Sequence, residues 1–128
     1  MLNFTTKEQL MAQEAFERVT NRRNDKDFDD YKSLALSFPS LLHSCGLVQA
    51  IAFAKKETKG KDSRIKNEYI DDLQKVFDKI DNAGNLPERS RKAHVMEYMR
   101  ITRHAISAAS WIKRYCQASE QEGGNNIA

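Results

Sequence analysis

A chain that performs acid–base, nucleophilic or metal chemistry must bring histidines, cysteines or carboxylates together, and the spacing here does not. His43, His94 and His104 are scattered, and the last two would leave a helix in different directions. Cys45 and Cys116 lack metal-ligand spacing, and each falls on an apolar stripe where a free thiol behaves as a small hydrophobe, so both are expected to be buried. Carboxylates are abundant, but they read as the exposed sides of regular helices, where neighbours at three or four residues serve solubility. No phosphate-cradling glycine loop, nucleophile elbow or paired-histidine motif occurs. The expectation is a protein that is not an enzyme, with no catalytic residues, no cofactor and no metal ligands.

What the chain does arrange is positive charge. Periodicity predicts one helix from about Glu88 to Ala118, roughly 45 Å long at 1.5 Å per residue. On a wheel of 100° per residue, Arg89, Lys92, Arg100, Arg103 and Arg114 fall within about 80° of one another. Ser107, Ser110 and Met96 share that stripe, and Glu97 lies to one side. The opposite half, from Val95, Tyr98 and Met99 through Ile101, Ala105, Ile106 and Ala109 to Cys116, reads as core. A cationic stripe of this kind can follow a phosphate backbone, with Trp111 at its edge for a base or sugar. The same pattern also describes a solvated face, and Trp111 by itself reads better as folded back onto a neighbouring helix. A second basic run, Lys55 to Lys66, carries Lys55 and Lys56 and contrasts with the acidic run Asp25 to Asp30.

The elements that must position these groups are helices. Tyr31, Leu34, Ala35, Phe38, Leu41, Leu42 and Cys45 recur at steps of three or four, and Gly46 closes that helix before Leu47, Ala50, Ile51 and Ala54 begin another. Pro39 predicts a kink near Ser37 or Phe38. Away from the core side, Ser33, Ser37, Ser40 and Ser44 form a ridge of small residues flanked by Lys32, Leu36 and His43. The ridge reads equally as a solvated face with one stray leucine or as a docking face; in the second reading Leu36, Ser37, Ser40 and His43, with Trp111, are candidates for meeting a protein partner, and Lys32 joins Lys55 and Lys56 among the candidate nucleic-acid contacts. Upstream, Thr5 with Glu8 or Thr6 with Gln9 can form a capping box, opening a helix that buries Leu10, Ala12, Ala15, Phe16 and Val19. Downstream, Ile65, Tyr69, Leu73, Val76, Phe77 and Ile80 predict a helix with Glu68, Asp71, Asp72, Asp78 and Asp81 outside. Between these helices the segment from Lys55 to Ser63 reads as a mobile loop.

The 128 residues are 40% hydrophobic and 30% charged with a net charge of +3, which suits one globular domain and excludes a disordered chain. The fold class is all-α, a compact bundle of about five to six helices over residues 1–118 with a disordered tail at 119–128. No apolar run is long enough for a membrane span and no signal peptide is present, so the expected location is the cytoplasm.

Two segments carry a family resemblance. YKSLALSFPSLLHSCGLVQAIAFAKK, with Tyr31, Pro39, Leu42, Gly46, Leu47, Gln49, Ala50 and Phe53, is followed by YMRITRHAISAASWIKRYCQA, with Trp111, Lys113 and Arg114. Together they resemble the small subunit of the Cmr complex, the type III-B CRISPR effector of bacteria and archaea; residues 57–87 match only in character. The resemblance implies a helical, non-catalytic subunit whose copies line up as a short filament beside the backbone subunits that hold the crRNA, close to the target RNA. Its implied partners are the Cmr backbone and other effector subunits, crRNA and target RNA, and further copies of itself. The alternative is a stand-alone helical nucleic-acid-binding or adaptor domain using the same stripe. Against groove reading, the helix after Gly46 begins LVQAIAFA and is mostly apolar.

Overall fold

The computed structural model describes residues 5–55, 60–82 and 84–127, with side chains described as far as Ala118. Six helices and no strand occur among them: α1 (Lys7–Arg22), α2 (Phe28–Cys45), α3 (Leu47–Ala54), α4 (Lys61–Asp78), α5 (Leu86–Lys92) and α6 (Val95–Ile127). The expected loop at Lys55 to Ser63 is in part outside the described residues, and α4 already begins at Lys61. Where a disordered tail was expected at 119–128, the backbone of α6 continues as helix to Ile127, although the side chains beyond Ala118 are outside the described residues.

Each helix end has a local cause. Thr6 and Gln9 form a reciprocal cap at the start of α1, with side chains bonded to backbone amides at 3.1 and 2.8 Å. Pro39 lies inside α2 without ending it. Gly46 does end it, at φ +83° and ψ 167°, a region open essentially to glycine; a Cβ there would also meet the Tyr98 hydroxyl at 3.3 Å. The Val48 amide, free at the start of α3, donates to that hydroxyl at 3.2 Å. A single glycine thus sets the turn and lets α6 approach it.

The core is built around α6, which packs against α1, α2, α4 and α5. Its buried residues are Ile101, Ala105, Ala108, Ala109, Ile112 and Cys116, and the three alanines let neighbouring backbones come close. Around them lie Met11, Ala15 and Val19 from α1, Tyr31, Ala35, Phe38 and Leu42 from α2, and Tyr69, Leu73, Val76 and Phe77 from α4. The stripe on α1 is rotated from the expected one: Leu10 and Phe16 are exposed and Met11 is buried instead. Phe16 settles edge-on against Tyr115. Cys45, expected in the core, is exposed at the end of α2, whereas Cys116 is buried, and burial pushes its thiol up to about 12.

Two carboxylates expected on the surface are buried. Asp72, with no exposed area, accepts hydrogen bonds from the Tyr31 hydroxyl at 2.6 Å and from Arg22 at 2.9 and 3.1 Å. Arg22 also reaches Glu68 at 3.3 Å, so α1, α2 and α4 meet at one ionic cluster. Burial, reinforced by Asp72, raises the Tyr31 hydroxyl well above its usual range, keeping it a donor. Asp81 is the second, 8% exposed just past the end of α4.

Candidate nucleic-acid interface

The structure divides the cationic stripe in two. The helix expected from Glu88 to Ala118 is broken at Ala93, whose backbone is extended (φ −67°, ψ 140°), and the His94 carbonyl begins α6 by accepting from the Tyr98 amide at 2.8 Å. Leu86 and Ser90 face the core from α5, which packs on α3. Arg89 and Lys92 therefore leave the line of α6. Arg89 instead pairs with Glu97 across the break, a contact over eight residues that a straight helix, rising about 12 Å over that span, would hold apart. Lys92 pairs with Glu88 at 3.2 Å within α5.

Arg100 is also engaged. Its guanidinium donates to Asp81 at 3.2 and 3.3 Å, and His104 Nδ1 lies 2.6 Å from the same carboxylate. Burial would raise the Asp81 carboxyl, but hydrogen bonds from Arg100 and then His104 hold it below the usual carboxylate range. An acid from beyond the end of α4 thus neutralises a stripe that looked free on the wheel.

The cations that remain lie farther along α6. Arg103 and Arg114 are exposed and Lys113 is half-buried, and none of the three forms an ion pair among the described residues. Arg103, Ser107, Ser110, Arg114 and Gln117 follow one another at steps of four and three, which places them on one face. Lys113 borders them, forming with Ser110, Arg114 and Gln117 a shallow depression of about 340 Å³ lined by hydrogen-bond donors and no acid. On its other side Arg114 adjoins a smaller one of about 150 Å³ with Ser107, Trp111 and Glu8 of α1. The Arg114 guanidinium sits 5.4 Å from the Trp111 ring centre. Trp111 itself is half-buried, stacked on Tyr115 of the same helix and packed against the core.

Among the other candidates, Lys32 is half-buried and engaged in interactions, Lys55 is exposed at the end of α3, and Lys56 lies outside the described residues. On the serine ridge Ser37, Ser40 and His43 are exposed and Leu36 is half-buried; Ser37 donates to the Leu34 carbonyl at 3.2 Å. Sequence reasoning missed Asp72, Asp81 and Lys113. A signal existed for the acids: Asp72 lies three residues after Tyr69 and four before Val76, and Asp81 four after Phe77, all apolar positions of one stripe. Among the described residues no group of His, Cys, Asp or Glu could hold a metal, and no helix is long and apolar enough to cross a membrane.

The described residues form an all-α bundle that gathers exposed cations on one helix face. The family model for the CRISPR-associated protein Cas_Cmr5 matches residues 7–119, and the chain belongs to that family. It is 34% identical over 117 residues, 91% of this chain and 98% of the relative, to the CRISPR system Cmr subunit Cmr5 of Thermus thermophilus. It also superposes on the crystal structure of a CRISPR-associated Cmr5 family protein from Thermus thermophilus, with a TM-score of 0.78 and 31% identity. That match covers 90% of this chain and 97% of the other. The chain is thus a small subunit of the Cmr complex.

Proposed function

We propose that the chain is a non-catalytic subunit that acts in the cytoplasm, lines up with further copies of itself beside the crRNA-holding subunits, and meets the target RNA through the C-terminal half of α6. The observation that carries this reading is the face bearing Arg103, Lys113 and Arg114, where cations alternate with serine and glutamine and form no ion pair among the described residues. Such a face holds a strand by charge and shape without reading its sequence. The cations held by Asp81, Glu97 and Glu88 are structural in this reading. With a net charge of only +3, the isolated subunit binds RNA weakly and depends on the assembly to present several such faces in line. Residues 1–118 act as one domain, beyond which α6 carries the remaining residues as far as Ile127.

The test is RNA retention by a reconstituted Cmr complex carrying Arg103→Ala, Lys113→Ala and Arg114→Ala together. Weaker, less salt-sensitive RNA binding with unchanged assembly is expected; unchanged retention would sink the assignment of this face.

A further inference from the structure

Arg114 stands between two depressions of unlike chemistry. The outer one, of about 340 Å³, offers the donors of Lys113 and Arg114 beside Ser110 and Gln117. The inner one, of about 150 Å³, brings in Glu8 from the first turn of α1. Glu8 is exposed, and its carboxylate forms no ion pair or hydrogen bond among the described residues. Ile106 supplies the apolar part of the same lining, with Ser107 and Ser110 beside it. The Ser110 hydroxyl donates to the Ile106 carbonyl at 2.8 Å, which leaves its oxygen to accept, while Ser107 can do either.

An unpaired carboxylate there selects what can enter. It repels a phosphate, which Arg114 and Lys113 attract on the outer side. A strand on this face therefore sets its phosphates over the cations and turns an uncharged, donating part toward Glu8. A first-turn acid also suits the dipole of its own helix, but any side of that turn would serve, and this one looks onto α6. Two parts of a nucleotide can donate to a carboxylate. Base amino and imino groups differ from one nucleotide to the next, so a site matched to them would read sequence. The ribose 2′-hydroxyl recurs at every position of an RNA strand, close to the phosphates, and is missing from DNA.

We infer that the depression between Glu8 and Arg114 receives a ribose. Its 2′-hydroxyl donates to the Glu8 carboxylate and accepts from Ser107, its C–H side rests on Ile106, and the adjoining phosphate meets Arg114 and Lys113. The face then tells RNA from DNA while staying indifferent to sequence. The inference rests on the RNA contact proposed above and deepens it by naming the group recognised.

The experiment measures the affinity of the reconstituted Cmr complex for a target RNA strand and for the same strand with 2′-fluoro sugars throughout. Fluorine keeps an RNA-like sugar pucker but cannot donate. Each variant is compared with wild type on the same strand, so the contribution of guide pairing cancels. Glu8→Ala is expected to lower affinity for the ribose strand on the order of tenfold, as loss of a hydrogen bond to a charged acceptor requires. Affinity for the 2′-fluoro strand should not fall, because there the variant removes only a repulsive charge. Glu8→Gln keeps an acceptor and should retain part of the preference. An equal change on both strands in either direction, or no change on either, would overturn the inference. A loss that follows base identity instead of the sugar would give the depression to a base and overturn it too. If the triple Arg103, Lys113 and Arg114 variant keeps its RNA, the RNA face and this inference fall together. If that variant loses RNA while Glu8→Ala does not discriminate between the strands, the ribose site alone falls.

Discussion

Arg100 and Arg103 are one turn apart on the same helix and identical in type, yet the structure uses them differently. Arg100, with Arg89 and Lys92 before it, faces acids that other turns supply: Asp81 from the end of α4, Glu97 across the break, and Glu88 within α5. Arg103, Lys113 and Arg114 form no ion pair among the described residues, and the groups around them are hydroxyls, an amide, an indole and, across a shallow depression from Arg114, Glu8. Apolar exposure runs the other way, with Val95, Met96 and Met99 uncovered at the first end and Trp111 tucked in at the second. A basic residue becomes a binding residue only where no neighbouring element has neutralised it. In the proposed reading the second end of α6 is the one that meets a polyanion.

The buried limit of that rule gives the largest expected effect. Asp72→Ala leaves the buried Tyr31 hydroxyl without its acceptor and Arg22 with Glu68 alone, and is expected to cost about 3 kcal/mol, read from urea denaturation. Next comes the loss of all three cations at the free end. For the triple Arg103, Lys113 and Arg114 variant, RNA affinity of the assembled complex should fall on the order of 10- to 100-fold near physiological salt. The salt slope for a single strand should shrink by about two, as three lost contacts at ~0.7 each require. The same measurement on Arg100→Ala should change little. If the two variants behaved alike, the division of α6 would be wrong.

Gly46→Ala tests how the first end is held, because it forces a side chain into φ +83° against Tyr98; about 1–3 kcal/mol of destabilisation is expected in thermal unfolding. Asp81→Asn sharpens the comparison through pH. The Asp81 carboxyl is held low, so the stability it contributes is complete above the ordinary aspartate value of 3.8 and is lost as pH falls through its lower folded value. The Tm gap between wild type and Asp81→Asn should therefore be open at neutral pH and close in acid below that value. The smallest effect belongs to Lys92→Ala. Its pair with Glu88 is more than half exposed on both sides, and stability should move by less than about 0.5 kcal/mol.

The fold was legible because periodicity survives in a single chain. The α2 stripe, the glycine closing it, the reciprocal cap at Thr6 and the buried side of α4 all follow from spacing and residue type. The candidate interface was legible only in part. Arg103 and Arg114 could be placed from the wheel, but the separation of Arg89 and Lys92 could not. Ala93 and His94 carry no glycine or proline, and a helix breaks there without a local signal, as α5 packs on α3. Exposure at helix ends was equally hidden: Cys45 and Val95 continue apolar stripes beyond the point where another helix covers them.

By itself the amino-acid sequence determined the helices, their apolar faces and the concentration of cations near the C-terminus, since these depend on neighbours three and four residues away. Only the tertiary structure decided which cations are neutralised and which apolar residues stay uncovered. Asp81 meets Arg100 from 19 positions away, and Arg22 meets Asp72 across 50. Such encounters depend on how helices cross in space, and a wheel drawn for one helix contains no term for the charges its neighbours bring.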